Sequence, residues 1–265
     1  MTAPTGSFLP EVRETPAGNG LRWWTDSFSW LFADLSRLGV WIGMLLCCFL
    51  ILIALHWLPF LGSVASHLLM FVFSGGLMMA ARDTQRGQVP QFRDLFAGFG
   101  PQGGALVGAG LLILLASLAV LGLMLLIGLG TLFSSLSAAT SYEQVATEGY
   151  WLRGVGLGSL LLLLICLLLF VPISMAAWLA PALIMLRGAG PVDALRWSLI
   201  ACGRNLGSLT VYGLVGIVLA LLATLMFMIG WLFLLPLTFL SSYAAFRDIF
   251  AGDIEAQNLS VQPSS

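Results

Sequence analysis

Six separate stretches of this chain are long and apolar enough to cross a lipid bilayer as helices. Spanning the hydrocarbon core takes about 20 mostly apolar residues, because about 30 Å is covered at about 1.5 Å per residue. Within that core each helix satisfies its own backbone N–H and C=O groups, which water cannot do there. The predicted spans are residues 38–58, 62–81, 105–133, 155–186 and two that share the run 206–246, with a turn near Gly230 and Trp231.

The composition excludes a water-soluble globular protein. Of the 265 residues, 59% are hydrophobic and 9% are charged, whereas soluble domains average about 45–50% and about 25%. The positive charges are all arginines, and they are scattered between apolar blocks. No basic face is therefore expected that could neutralise a phosphate backbone, so a nucleic-acid partner is not predicted.

The distribution of arginines predicts the orientation of the bundle. Short cytoplasmic loops are enriched in Lys and Arg. With six spans, ten arginines lie on one side and Arg153 lies alone on the other, so both termini are predicted to be cytoplasmic. The ten are Arg13, Arg22, Arg37, Arg82, Arg86, Arg93, Arg187, Arg196, Arg204 and Arg247.

Three short amphipathic stretches, at residues 21–37, 92–99 and 195–204, each precede a pair of spans. In the first, one helical face collects large apolar side chains, which predicts an interfacial helix lying flat under the headgroups. Those side chains are Trp24, Phe28, Leu31, Phe32 and Leu35. The fold class is thus an all-α polytopic membrane bundle of six transmembrane helices plus cytoplasmic interfacial amphipathic helices.

The same pattern predicts how the chain is divided. A six-span domain covers residues 20–250, between disordered cytoplasmic tails at 1–19 and 251–265. Within it a threefold repeat would comprise residues 20–83, 90–187 and 191–248, each an amphipathic stretch followed by a hairpin. The rule that places positive charges inside could produce the same layout without duplication.

Arginines at the membrane exits are the main candidate binding residues. Guanidinium groups at this level can hold anionic lipid headgroups, although orientation alone also explains them. The candidates are Arg22, Arg82, Arg93, Arg187, Arg196 and Arg247. No Asp, Glu or Arg lies within any predicted span, which argues against a carboxylate proton relay.

Four other residues complete the candidates. Pro172 and Pro181 each remove a backbone hydrogen bond from the fourth span and predict a helix kink there. His56 and His67 are weak candidates for a metal site, because two imidazoles without a carboxylate or thiol make a poor ligand set. No metal or other cofactor is predicted, and no catalytic motif is found, so the chain is not expected to be an enzyme.

Five segments resemble an uncharacterised family of proteobacterial six-span inner-membrane proteins. They are Gly20–Trp24, Ser74–Arg82, Phe92–Phe99, Trp178–Leu183 and Tyr243–Phe250. The layout is more remotely similar to the membrane domain fused to some glycerophosphodiester phosphodiesterases. The resemblance implies a location in the bacterial inner membrane. It carries over no catalytic residue, because that family has no established active site.

The sequence leaves two functional hypotheses open. The first is a non-enzymatic membrane protein that organises lipids or partner proteins through its cytoplasmic helices. The alternative is a transporter or facilitator of a small or lipidic solute along the kinked fourth helix. The expected partners are the phospholipid bilayer and either another protein or a second copy of the chain. A polar cavity between the two prolines would favour transport, and an exposed apolar groove would favour binding.

Reporter fusions test the predicted topology. A reporter fused after Ala251 should report the cytoplasm, and one fused after Ser137 should report the opposite side, because six spans return the chain to its starting side. The measurement is the activity of a paired cytoplasmic and external reporter at each position. An external signal at Ala251 or a cytoplasmic signal at Ser137 would contradict the six-span topology.

Overall fold

The computed structural model describes residues 11–138, 156–226 and 229–250, whose regular structure is entirely helical. Six of the helices are long and apolar enough to cross a membrane: Leu35–His56, Leu61–Gln85, Gly103–Gly130, Leu160–Arg187, Leu206–Leu225 and Gly230–Ile249. The predicted all-α bundle with six spans is thus confirmed. The helices are α1 (Asn19–Phe32), α2 (Leu35–His56), α3 (Leu61–Gln85), a 3-10 helix (Phe92–Phe99), α4 (Gly103–Ala138), α5 (Gly156–Arg187), α6 (Pro191–Arg204), α7 (Leu206–Leu225) and α8 (Gly230–Ile249).

Chain contacts divide the protein into two compact units. The first contains the residues up to Leu111 and those from Met175 onward, and the second contains Leu112–Ser174. The second unit consists of the later part of α4 and the earlier part of α5, whose leucines are largely exposed; Leu126 and Leu168 are 72% and 73% exposed. Such surface is suited to contact with lipid. Residues 139–155, between α4 and α5, lie outside the described residues.

Helices α3 and α8 form the centre of the first unit. Within their most apolar windows 56% and 61% of the residues are buried inside the protein, against 22% for α2 and 11% for α7. The buried residues of α3 and α8 include many small and aromatic ones, whereas α2 and α7 present leucines outward. Packing between membrane helices comes from small residues, because lipid tails are as apolar as leucine.

A tight turn joins α2 to α3. Phe60 has φ of 58°, a left-handed conformation that is an outlier for a bulky residue. Gly62 then brings its backbone against the carbonyl oxygen of Leu55, where a Cβ atom would overlap that oxygen. The glycine is therefore required for the two helices to approach so closely at the turn.

Helix α1, which the sequence predicts to lie flat at the membrane surface, packs on α8. Its first turn contacts the end of α8, where Asn19 Nδ2 and Trp23 Nε1 donate to Asp248 Oδ2 at 2.8 and 2.9 Å. Its last turn also contacts α8, where the rings of Phe32 and Phe233 are 6.4 Å apart and the guanidinium of Arg247 lies over the ring of Trp30.

The predicted apolar face of α1 is consequently divided between two environments. Trp24 and Leu31 are buried against the protein, whereas Phe28 and Phe32 are exposed, as is Leu35, which lies beyond α1 as the first residue of α2. The hydrophobic pattern could not separate these faces, because side chains facing lipid and side chains facing protein are equally apolar in a membrane.

Helix α1 is held against α7 by a close backbone approach at Gly20. A Cβ atom there would overlap the carbonyl oxygen of Ser208 and lie 2.6 Å from the amide nitrogen of Tyr212. The 3-10 helix packs on α3 in the same way. A Cβ atom on Gly76 would overlap the carbonyl oxygen of Leu95, and one on Gly98 would overlap that of Val72.

Helix α6 is bonded into α5 by one buried hydroxyl. Ser198 Oγ donates to Met175 O at 2.6 Å and accepts from Leu179 N at 3.1 Å. These two backbone groups are the acceptor and donor that face each other across one turn of an α-helix. A side chain inserted at this point, two residues before Pro181, is a recognised cause of helix bending. The bend itself stays a prediction.

The described part of the N-terminal segment makes hydrogen bonds to the helices. Thr15 N and Oγ1 both donate to Asn205 Oδ1, at 2.7 and 2.9 Å, and Arg13 N donates to Ile249 O at 2.9 Å. The disorder of residues 1–19 stays a prediction. The predicted tails at residues 1–10 and 251–265 lie outside the described residues.

The element order contains the three predicted combinations of a short helix and two spans. They are α1 with α2 and α3, the 3-10 helix with α4 and α5, and α6 with α7 and α8. A threefold repeat that arose by duplication stays a prediction.

The approach of α1 to α7 gives a test of the packing. Gly20→Ala should lower the thermal unfolding temperature in detergent, because the added methyl forces the helices apart and such overpacking costs about 1–3 kcal/mol. The matched control is Gly18→Ala, since a Cβ atom on Gly18 meets nothing within 4 Å. Tryptophan fluorescence during heating measures both. Equal unfolding temperatures for the two variants would contradict the close approach.

Candidate functional site

An aromatic cluster of Trp23, Trp24, Trp178 and Tyr212 joins α1, α5, α7 and α8. The ring of Tyr212 stacks on Trp24 with centroids 4.9 Å apart and lies 5.2 Å from Trp178 and 5.9 Å from Trp23. The tyrosine hydroxyl lies 2.9 Å from Ser241 Oγ, either of which can donate.

All three indole N–H groups of this aromatic cluster are satisfied inside the protein. Trp23 donates to Asp248, Trp24 donates to the carbonyl oxygen of Tyr212 at 3.1 Å, and Trp178 donates to Ser242 Oγ at 2.8 Å. Tryptophans at a membrane interface usually keep this donor for water or headgroups. Here the donors serve packing, so the aromatic cluster is structural.

An arginine cluster of Arg37, Arg82, Arg86 and Arg247 gathers where α2 begins and where α3 and α8 end. The guanidinium carbon of Arg247 lies 5.5 Å from the ring centroid of Trp30, a cation–π contact. Arg37 donates to the carbonyl oxygens of Trp30 at 3.1 Å and Gly87 at 2.6 Å. Trp30 is thus the point at which Arg37 and Arg247 meet.

The arginine cluster carries an excess of positive charge. Arg82, Arg86 and Arg247 all act electrostatically on Tyr243, a buried residue of α8, and the carboxylate of Asp83 opposes them. The carboxylate of Asp83 is taken up by Arg82, with Asp83 Oδ1 3.2 Å from Arg82 Nε. It does not pair with Arg86 or Arg247.

Two further groups at the start of α2 belong to the same environment. Arg37 Nε is buried and has no hydrogen-bond partner among the described residues. The carboxylate of Asp34 caps α2 by accepting from Ser36 N at 2.9 Å. Hydrogen bonds from Ser36 hold the pKa of Asp34 below its ordinary value, and the charge of Arg37 adds to that effect. The Nε–H group of Arg37 is therefore a buried donor with no acceptor among the described residues.

The structure brings together only two of the six predicted headgroup residues, Arg82 and Arg247. Arg22 is largely exposed and lies 3.7 Å from Asp26 on its own helix. Arg187 donates to the carbonyl oxygen of Phe250 at 3.0 Å. Arg93 and Arg196 are exposed on the 3-10 helix and on α6.

Sequence reasoning missed Arg37 and Arg86 as members of the arginine cluster. The signal for Arg86 was present, because it follows Arg82 by four residues and so lies on the same helical face if α3 continues past the membrane. Helix α3 does continue, to Gln85. For Arg37 no local signal exists, since the contacts with Trp30 and Gly87 depend on how three segments meet.

The remaining candidates do not form a site with them. His56 Nδ1 lies 2.9 Å from Leu52 O and 3.4 Å from Ser66 Oγ, while His67 lies against the ring of Phe71. No group of three or more His, Cys, Asp or Glu side chains able to hold a metal occurs in the described ranges. Pro172 is exposed in the second unit, and Pro181 is buried in the first.

A bacterial membrane protein is similar in sequence to this chain. A probable inner membrane protein of Burkholderia thailandensis is 29% identical over 220 residues, which cover 80% of this chain and 77% of that protein. No protein-family model and no solved structure matches the chain. Together with the six spans, the similarity makes this a multi-pass inner-membrane protein. The similarity to phosphodiesterase membrane domains stays a prediction.

Cys202 on α6 offers a test of how tightly α6 packs on α5. Burial raises the pKa of this thiol to about 12, against an opposing hydrogen bond from Ser198. Because the thiolate is the reactive form, Cys202 should stay unmodified by N-ethylmaleimide at pH 8 in mild detergent and become modified in denaturant. Peptide mass spectrometry measures the extent of modification. Rapid modification of Cys202 in the folded protein would contradict the burial.

Proposed function

We propose that this inner-membrane protein binds the headgroups of anionic phospholipids at the arginine cluster and thereby organises lipids at one face of the membrane. The observation that carries the proposal is the convergence of Arg82, Arg86 and Arg247, from the ends of two central helices, on one buried tyrosine with one opposing carboxylate. The protein acts here as a binding protein and not as an enzyme.

The chemistry of arginine suits this ligand. A guanidinium is planar, always charged and able to donate two parallel hydrogen bonds to a phosphate. It is also more weakly hydrated than an ammonium group, so bringing it to the headgroup level is less costly. Basic side chains near an anionic membrane surface contribute about 1 kcal/mol each.

The architecture around the arginine cluster supports recognition over simple charge attraction. Trp30 holds the guanidinium of Arg247 over its ring, and the backbone carbonyls of Trp30 and Gly87 hold that of Arg37. Side chains fixed in this way lose less conformational entropy when a ligand binds. With both termini cytoplasmic, as the sequence predicts, the arginine cluster would face the leaflet that carries the anionic lipids.

Two other functions, binding of a protein partner and facilitated passage of a solute, are the alternatives to lipid binding. A protein partner is the second form of the organising role, and a carboxylate-rich partner would meet the same positive charge. The solute facilitator depends on a polar path along α5, for which no described contact argues. Neither has an observation of its own that favours it.

The proposal predicts that neutralising the arginine cluster releases anionic lipid. The triple variant Arg82→Gln, Arg86→Gln and Arg247→Gln should bind phosphatidylglycerol at least tenfold more weakly. Three contributions of about 1 kcal/mol each would allow about a hundredfold. Native mass spectrometry of purified protein titrated with phosphatidylglycerol measures the bound fraction, with phosphatidylcholine as the uncharged comparison.

A matched control removes three exposed arginines outside the arginine cluster, as Arg22→Gln, Arg196→Gln and Arg204→Gln. This variant has the same net charge as the first, so a loss confined to the first assigns binding to the arginine cluster. Equal losses in both would reduce the effect to general charge and overturn the proposal. Unfolding temperatures of both variants show that the helices remain packed.

A further inference from the structure

An open apolar groove of about 400 Å³ lies between α3 and the start of α4 in the first unit. On one side it is lined by Ala65, Leu68, Leu69 and Val72, which follow one another on a single face of α3. The other side consists of Phe99, Val107 and four glycines, Gly98, Gly100, Gly103 and Gly104. The glycines leave the space that larger side chains would fill.

The groove extends away from the C-terminal end of α3, the end that carries Arg82 and Arg86 and is called here the arginine-bearing end. Gly76 of α3 contacts the backbone of Asp94 and Leu95, and Val72, one turn further from that end, contacts Gly98. The 3-10 helix therefore runs along α3 with its exposed Arg93 nearer to the arginine-bearing end. Beyond Val72 the groove continues to Ala65, over about 10 Å of helix.

This arrangement matches the order of groups in a phospholipid. A positive charge at Arg93 lies at the level where a phosphate would be placed, and apolar lining begins about 10 Å further along the 3-10 helix, at Gly98. The sides of the groove come from α3, the end of the 3-10 helix and the start of α4, and α3 and α4 are able to span the membrane, so lipid hydrocarbon can reach the groove.

The lining of the groove suits a hydrocarbon chain. Every lining residue is apolar or glycine, so the groove offers apolar contact and offers a polar ligand no side-chain hydrogen bond.

We propose that the groove holds one acyl chain of a membrane phospholipid whose anionic headgroup lies beside Arg93. This site shares no residue with the arginine cluster, so either site can fail without the other. A lipid held here would fill the gap that the glycines leave between α3 and α4. It would be retained with the protein when bulk lipid is removed.

Photocrosslinking in the wild-type protein is the first test. The probe is phosphatidylglycerol with a diazirine in the middle of one acyl chain, at a low fraction in phosphatidylcholine vesicles. If contact with bulk lipid were the only source of labelling, labelling would follow exposure, and Leu214 and Leu221 of α7 are 59% and 61% exposed. Leu68 and Leu69 are only partly exposed. A held chain should reverse that order, with at least fivefold more label on Leu68 and Leu69.

Filling the groove is the second test. Gly104→Phe places a ring where a Cβ atom meets nothing within 4 Å, and it should reduce groove labelling at least fivefold. Its control is Gly213→Phe on α7, where a Cβ atom also meets nothing within 4 Å and labelling should be unchanged. Arg93→Gln should reduce groove labelling about fivefold, since one such charge contributes about 1 kcal/mol.

Three results would overturn this proposal. Labelling that follows exposure in the wild type would show contact with bulk lipid only. Undiminished labelling in Gly104→Phe would place the chain elsewhere, and undiminished labelling in Arg93→Gln would remove the headgroup assignment. Loss of phosphatidylglycerol binding at the arginine cluster leaves all three measurements interpretable, because Arg82, Arg86 and Arg247 line no part of the groove.

Discussion

The docking of α1 onto the hairpin of α7 and α8 is the interaction on which the rest of the first unit depends. Gly20 lets the two backbones touch, and Trp24 then stacks on Tyr212 while Trp23 reaches Asp248. In surroundings with little water, leaving an indole N–H or the carboxylate of Asp248 without a hydrogen-bond partner would lower the stability of the fold. The same docking places Trp30 between Arg37 and Arg247. Removing α1 would therefore disperse the arginine cluster as well as open the bundle.

Close backbone contact occurs where α1 meets α7 and where the 3-10 helix meets α3, and it is achieved by omitting side chains. Gly20 against α7 and Gly76 and Gly98 between the 3-10 helix and α3 all place backbone atoms where a Cβ would not fit. At the α5–α6 contact the corresponding device is a hydrogen bond from Ser198. Small residues and satisfied hydroxyls drive helix association in lipid, where burial of leucine gives little advantage. Many leucines are accordingly exposed, and the hydroxyls of Ser198, Ser208 and Ser241 are buried.

The candidate site was predictable in its chemistry but only partly in its membership. Positive charge at the membrane exits follows from the distribution of arginines, and Arg82 and Arg247 were identified from it. Arg86 required knowing that α3 extends beyond its apolar run to Gln85, and Arg37 required the meeting of α1, α2 and the end of α3. The exposed position of Arg22 and the hydrogen bond of Arg187 to Phe250 could not be predicted from the sequence either. An arginine beside a membrane has the same sequence pattern whether it binds protein, lipid or water.

The sequence by itself determined that the chain is helical, that six of its helices can cross a membrane, and where each begins and ends to within a few residues. These features follow from hydropathy over about 20 residues, which the thickness of the bilayer imposes directly. Tertiary structure alone decided that α1 packs on α8, that Thr15 and Arg13 are bound to Asn205 and Ile249, and that Gly98, Gly100, Gly103 and Gly104 help to form a groove. In a membrane, a helix face turned to lipid and one turned to protein carry the same hydrophobic signal, so only the contacts themselves distinguish them.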